Sequence, residues 1–360
     1  MLMSVIISTI IFILFILLLI GIHELGHFLM ALICGVPVKC FAIGFGKPLL
    51  TWYDKRGIKY TLGWLLLGGY VSLVDQREYV QPLSRPKVFP RFLVVLAGPV
   101  ANFVLAILAF YGMWLAGKTD IKPIIATVVP YSLAAQAGLQ AGDQILALNQ
   151  QPVLGWQDVR LKLINYLGDK NNLLVTVLAT NQKSHTYQLA LAQWHLDPYQ
   201  PLILSSLGIT PWQPAEGSKW PQSMLITPHY ALLTALVPTG QQFLLVLSVN
   251  TKLLVKLITG QLPLQILSGP IGLFATAQIA SQGLAIFLEI IGFLSIGLGL
   301  INLLPIPGLD GSHLIYLLIE KIRGQPFSIA LEGLLFKLGI IFIVLIMIQV
   351  MINDFVRLIY

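Results

Sequence analysis

Charge is scarce in this sequence. Only 10% of its 360 residues are charged and 56% are hydrophobic, against about 25% charged in a soluble domain, which excludes an ordinary soluble chain and points to lipid as solvent. Cysteine is nearly missing too. With Cys34 and Cys40 alone, no disulfide framework can hold an exported domain together, and the pair makes a poor metal motif. Nor is there a basic run interleaved with aromatics, so the net charge of +7 is not read as nucleic-acid binding. Nor does the N-terminus read as a cleavable signal peptide; it is expected to be a membrane helix. The first apolar run starts at Leu2 and continues to about Leu32, well past the roughly 7 to 15 residues of a signal core.

What is present reads as a polytopic α-helical membrane protein. A spanning helix needs about 20 apolar residues, and four segments qualify: 4–33, 91–116, 284–304 and 334–353. Between the first two lie Lys39, Lys47, Lys55, Arg56, Lys59, Arg77, Arg85, Lys87 and Arg91, against only Asp54, Asp75 and Glu78. The positive-inside rule makes that loop cytoplasmic. Alternation then puts both termini and residues 118–283 outside, and the turn at 305–333 inside.

Two stretches differ from the helices around them. Residues 121–195 alternate short β-rich runs (Ile124–Val129, Gln144–Leu148, Leu173–Ala179, Thr186–Leu191) with turns and one helical segment near 157–167, which predicts a small soluble domain. Its run Ala137-Gly138-Leu139-Gln140-Ala141-Gly142-Asp143-Gln144-Ile145-Leu146 resembles a PDZ signature, the alternative being an unrelated β-rich insert. PDZ domains bind extended peptides at a sheet edge. Residues 41–74 set glycines among apolar and β-branched residues around a turn at Asp54–Gly57, a hairpin pattern. Too apolar for water, and unable to show open edges to lipid, it is expected to be a re-entrant β-hairpin packed on protein or lining a wet cavity. Residues 201–222 read as a linker, and 228–259 as an amphipathic helix lying on the outer surface. The expected division is therefore 1–117, 118–200, 201–283 and 284–360.

The chemistry concentrates in His23-Glu24-Leu25-Gly26-His27. Histidines at i and i+4 share one helix face and suit one metal ion, with the intervening glutamate as general base. Three ionisable groups inside a span cost roughly 2.5 to 3.5 kcal/mol each on insertion scales, so they require compensation. The bland alternative is a structural polar cluster. A catalytic zinc needs a third protein ligand and an open position, and Asp310 is the preferred candidate. It stands in the run Asn302-Leu303-Leu304-Pro305-Ile306-Pro307-Gly308-Leu309-Asp310-Gly311, which ends the third span and whose prolines and glycines break the helix. His313 is the rival ligand or a supporting group. By topology, this run and His23–His27 both lie near the cytoplasmic side.

These motifs, with Ala97-Gly98-Pro99-Val100-Ala101-Asn102 in the second span and an outside domain between spans, resemble the site-2 protease family of intramembrane zinc metalloproteases. Order, spacing and topology fit across nearly the whole chain. Ile43-Gly44-Phe45-Gly46-Lys47, Leu67-Gly68-Gly69-Tyr70-Val71, Leu257-Ile258-Thr259-Gly260 and Ser268-Gly269-Pro270 are most similar to the branch that cleaves anti-sigma factors in envelope-stress signalling. The resemblance implies a bacterial inner-membrane enzyme with a periplasmic PDZ-like domain, acting on single-pass transmembrane substrates already trimmed by another protease. That branch carries two PDZ domains in tandem. Here one signature is found, and 118–222 leaves no room for a second.

A substrate helix has every amide satisfied internally, so it must unwind before cleavage. The hairpin edge within 58–74, with Gly69 and Tyr70, is a candidate to hold it by strand addition. Asn302 and Asn102 are candidates to bind its freed backbone, with hydrogen bonding between helices as their alternative role. Other partners are the lipid bilayer and a peptide or protein ligand of the PDZ-like domain. A metal transporter would show internal repeats and polar groups in several spans, which the second and fourth spans lack. An inactive scaffold would have lost Glu24 or a ligand.

Overall fold

The computed structural model describes residues 2–73, 87–196, 202–215 and 218–359. The uninterrupted apolar run at the N-terminus forms helix α1 (Leu2–Ile33), followed by strands β1 (Val38–Tyr53) and β2 (Lys59–Leu73) and helix α2 (Val88–Leu115). Four members of the basic loop's charge balance, Asp75, Arg77, Glu78 and Arg85, lie outside the described residues. Next come β3 (Asp120–Ile121), β4 (Ile125–Val128), α3 (Leu133–Ala137), β5 (Gln144–Leu148), β6 (Gln151–Pro152), α4 (Trp156–Asn165), β7 (Asn172–Leu178) and β8 (Ser184–Ala190). After these the chain forms α5 (Ile203–Ser206), β9 (Ile209–Pro211), β10 (Leu225–Ile226) and α6 (Leu236–Ile258). It ends in α7 (Pro270–Ala280), α8 (Leu284–Asn302), α9 (Asp310–Arg323) and α10 (Ile329–Ile359).

Five of these helices are long and apolar enough to cross a membrane: Met3–Ile33, Val88–Leu115, Leu236–Ile258, Leu284–Asn302 and Ala330–Ile359. Four coincide with the expected spans. The additional one is α6, which the sequence reading laid on the membrane surface.

The chain divides into two compact units, Met1–Gly112 with Ile271–Ile348, and Met113–Pro270 with Gln349–Tyr360. In the first, apolar faces of α1, α2, α7 and α8 meet around Phe15, Ala109, Ala277 and Ile291. The expected hairpin is present, closed at its turn by the Asp54 carboxylate, which accepts from the backbone N–H groups of Arg56 and Ile58. Its register is more elaborate than a simple hairpin. Ala42 lies beside Tyr70 on one side and Thr61 on the other, and Thr61 also faces Thr51. The ribbon thus doubles back at Gly44 and Gly46, whose φ of 84° and 83° suit glycine. Four short segments result, in the order 47–53, 59–62, 40–43 and 69–73.

The second unit has a β6-β5-β7-β8 sheet and the smaller pairs β4-β9 and β3-β10. Positive φ at both Asn149 (45°) and Gln150 (65°) gives the tight turn that joins β5 to β6 with the right twist. Ser132 caps α3 by accepting from the Ala135 N–H, and Gly138 ends it in the left-handed conformation. A core of Ile145, Leu148, Trp156, Val159, Leu173, Val175 and Val177 fills the space between sheet and helices. Asp120 ties β3 to the start of α4 by accepting from the N–H groups of Ile121 and Gln157; its burial pushes the carboxyl up. The segment expected to be a linker contributes to this core. Leu204, Leu207 and Ile209 are buried in it, and β9 pairs with β4, because three apolar residues in a short span gain more from burial than a solvated linker would. The β-rich domain therefore extends past the expected boundary at 200.

Candidate metal centre

Spacing along α1 places His23 and His27 on one face, one turn apart. The break after α8 brings Asp310, the first residue of α9, opposite them. Its carboxylate Oδ2 lies 3.0 Å from His23 Nε2 and 3.3 Å from His27 Nε2, and the two imidazole Nε2 atoms are 3.2 Å apart. This is the group of three metal-capable side chains found among the described residues. Cys34 is half-buried and Cys40 buried, and neither joins it.

Zinc fits this set on geometry. A tetrahedral site with bonds of about 2.0–2.1 Å has ligand–ligand edges of about 3.3 Å, close to the three edges observed. The tautomers fit as well. The Val94 carbonyl accepts from His27 Nδ1 at 2.7 Å, so that nitrogen carries the proton and Nε2 keeps its lone pair for a cation. Asn102 lies 3.2 Å from His23 Nδ1 through its amide nitrogen, while its own Oδ1 is buried without a partner. Turning the amide, whose O and N are assigned from the network, lets Oδ1 accept from Nδ1–H. His23 Nε2 is then also a lone pair facing the centre.

Close backbone approach makes the arrangement possible. A Cβ on Gly98 of α2 would collide with the His27 ring and lie 2.9 Å from His23 Cε1. On Gly26 it would collide with the Ala97 carbonyl, and on Gly311 with the carbonyls of Leu303 and Leu304. On Gly69 it would come within 2.7 Å of Glu24 Cγ and 2.8 Å of the Ala42 carbonyl oxygen. Glycine at these positions lets α2, the sheet and the start of α9 close on the imidazoles.

A cavity of about 660 Å³ opens on the three residues, and Glu24, Gly69, Tyr70 and Asn302 line it. Glu24 is buried beside the 69–73 segment. Asn302 reaches to 3.5 Å of His23 Nε2. Tyr70 is exposed and stacks on Phe45, with ring centroids 6.3 Å apart. His313 also lines the cavity, outside the three-residue cluster. Asn102 is fully buried, on the far side of the His23 ring from Nε2. Sequence reasoning singled out neither Gly98 for the site nor the Val94 carbonyl. The run of small residues from Ala97 to Ala101 carried a signal of close helix packing, but its target becomes visible only with α1 against α2.

Known proteins resemble the chain over most of its length. The model of peptidase family M50 matches residues 11–346. Protease RseP of Yersinia pestis is 30% identical, over 94% of this chain and 96% of its own length. The regulator of sigma-E protease RseP of Escherichia coli is 29% identical, over 94% and 96%, and the regulator of sigma E protease of Haemophilus influenzae 28%, over 96% and 98%. The chain belongs to peptidase family M50, the site-2 proteases. It is a zinc-dependent metalloprotease of the membrane. The alignment with the Yersinia protein runs over 434 residues against 360 in this chain, so at least 74 positions have no counterpart here.

Proposed function

We propose that His23, His27 and Asp310 hold the zinc ion, that Glu24 is the general base and acid, and that the substrate is a single-pass membrane protein of the anti-sigma type. The observation that carries this is the convergence of three ligand atoms at 3.0 to 3.3 Å in one cavity with Glu24. When bound, zinc supplies Lewis acidity, bringing water toward ionisation near neutral pH and polarising a carbonyl. Glu24 takes the proton from the attacking water and delivers it to the leaving amine. Asn102 orients His23 and the Val94 carbonyl orients His27, a role for Asn102 that its burial favours over touching substrate.

Gly69–Leu73 pairs with β1 on one side, and its other edge is open among the described residues. An unwound substrate segment adds there as a strand, with Tyr70 against its side chains and Asn302 donating to its backbone. The names of the relatives, regulators of sigma-E proteases, support a role in envelope-stress signalling. We place the chain in the inner membrane, with the metal nearest the cytoplasmic side, to which the positive-inside rule assigns the basic loop.

We read the β-rich domain as a single periplasmic PDZ-like module that takes a peptide or protein ligand. Its left-handed Gly138 and Gly142, and an Asp143 carboxylate that accepts from the Gln140 N–H, support this. The missing 74 or more positions are of the order of one further small domain, in keeping with one module instead of two. For α6 we keep the outer surface. Lys256 donates to the Leu167 carbonyl and pairs with Asp169 at 2.7 Å, and its buried stripe includes the polar Thr239 and Gln242. Four spans remain, and the working division is a membrane domain in two parts around the periplasmic insert.

The test is reconstitution of the purified protein with a model single-pass substrate, scored for zinc content and product alongside Glu24→Gln. Full zinc with lost cleavage is expected. Unchanged cleavage by the variant overturns the assignment.

A further inference from the structure

The sheet of the membrane unit has two outer segments of opposite character. Gly69–Leu73 borders the metal cavity, whereas every residue from Lys47 to Tyr53 is exposed. Leu49, Leu50, Trp52 and Tyr53 are each more than half exposed, and so is Trp64 beyond the neighbouring segment. A short ribbon bare on both faces is marginal in water, and a contiguous apolar patch of this kind marks an interaction surface.

Its charges say which surface. Lys47 is exposed where the outer segment begins and Lys55 and Arg56 at the turn that ends it, so cations flank the apolar patch at both ends, and no described acidic side chain forms an ion pair with them. Among the described residues the nearby carboxylate is Asp54, which is taken up by the turn it closes and by the Tyr60 hydroxyl at 3.3 Å. Trp52 stacks on Tyr60 with centroids 5.4 Å apart, which stiffens the exposed indole. Tryptophan and tyrosine prefer the headgroup level of a bilayer, and clustered Lys and Arg are drawn to anionic lipid. A bilayer surface takes both groups at once, the aromatic rings among the headgroups and the cations against the phosphates.

We propose that the outer segment, Lys47–Tyr53 with the turn through Arg56, docks on the anionic headgroups of the membrane surface. It seats Trp52, Tyr53 and Trp64 at the headgroup level and holds Lys47, Lys55 and Arg56 against lipid phosphates. Docking fixes one edge of the sheet on the bilayer, so that the Gly69–Leu73 edge keeps its place beside the metal. This rests on the membrane reading of the chain and not on the assignment of the zinc ligands.

Backbone hydrogen exchange of residues 45–56 tests it, with the full chain in nanodiscs of phosphatidylcholine alone or mixed with phosphatidylglycerol. Exchange is expected to slow in the mixed bilayer and to recover at high salt. At about fivefold per cation near an anionic surface, the triple variant Lys47→Gln/Lys55→Gln/Arg56→Gln should lose on the order of 10²-fold of that protection. The charge-keeping Lys47→Arg/Lys55→Arg variant should retain it, which separates charge from folding. Equal protection in both bilayers overturns the proposal in favour of purely apolar insertion. Protection that appears only on adding a single-pass substrate also overturns it, in favour of a protein occupant.

Discussion

The two compact units use small residues and large ones for opposite purposes. Around the imidazoles, Gly26, Gly69, Gly98 and Gly311 let backbones and rings approach to distances no Cβ would tolerate. In the β-rich unit, Leu173, Val177, Trp156 and their neighbours fill a dry core of bulky side chains. The first arrangement stores precision, since a displacement of a fraction of an ångström moves a ligand atom. The second stores stability, since its contribution scales with apolar area buried. Damage to one should therefore spare what the other provides.

The largest expected effect is on chemistry alone. Glu24→Gln should lower cleavage on the order of 10²- to 10⁴-fold, the range for a positioned proton-transfer group, with zinc content and thermal unfolding unchanged. Retained activity would deny Glu24 its role. Next comes precision without chemistry. Gly98→Ala removes no ligand, yet its methyl collides with the His27 ring. Zinc affinity, measured by competition with a chelator, should fall about 10- to 100-fold, as for lost ligand support.

The β-rich unit should respond in the other currency. Leu173 is fully buried, and Leu173→Ala should destabilise that unit by about 2–5 kcal/mol, read from hydrogen exchange over 120–211, while zinc stays bound. Loss of zinc in this variant would mean the two roles are not separable. The smallest effect is expected at Gly240 in α6, where an added Cβ meets nothing within 4 Å. Gly240→Ala should change stability by no more than about 1 kcal/mol, in the stabilising direction, with no change in cleavage.

Much of the centre was legible because it is written in local spacing. His23, Glu24 and His27 need only the helical repeat, whereas Asp310 needs the helix break at Pro305 and Pro307 together with the topology and the family resemblance, without which His313 remains its rival. The strands of the β-rich domain were legible from alternation. What escaped depends on contacts distant in sequence. The Val94 carbonyl and Gly98 acquire meaning only when α2 lies on α1, and Asn102 reads as a substrate holder until it is found bonded to His23. The doubled-back register of β1 and β2 also escaped, because a strand pattern signals the turn at Asp54 but not the kinks at Gly44 and Gly46. The boundary at 200 failed for a similar reason: the residues of β9 look like a linker until β4 offers them a partner.

The central claim, that zinc is held by two imidazoles and one carboxylate, is met most directly by zinc-edge X-ray absorption on the purified protein, compared with Asp310→Ala. The account predicts only nitrogen and oxygen neighbours at about 2.0–2.1 Å, with scattering from two imidazoles, and loss of most of the zinc in the variant. A sulfur neighbour at about 2.3 Å, a third imidazole such as His313, or an unchanged spectrum in Asp310→Ala would contradict it.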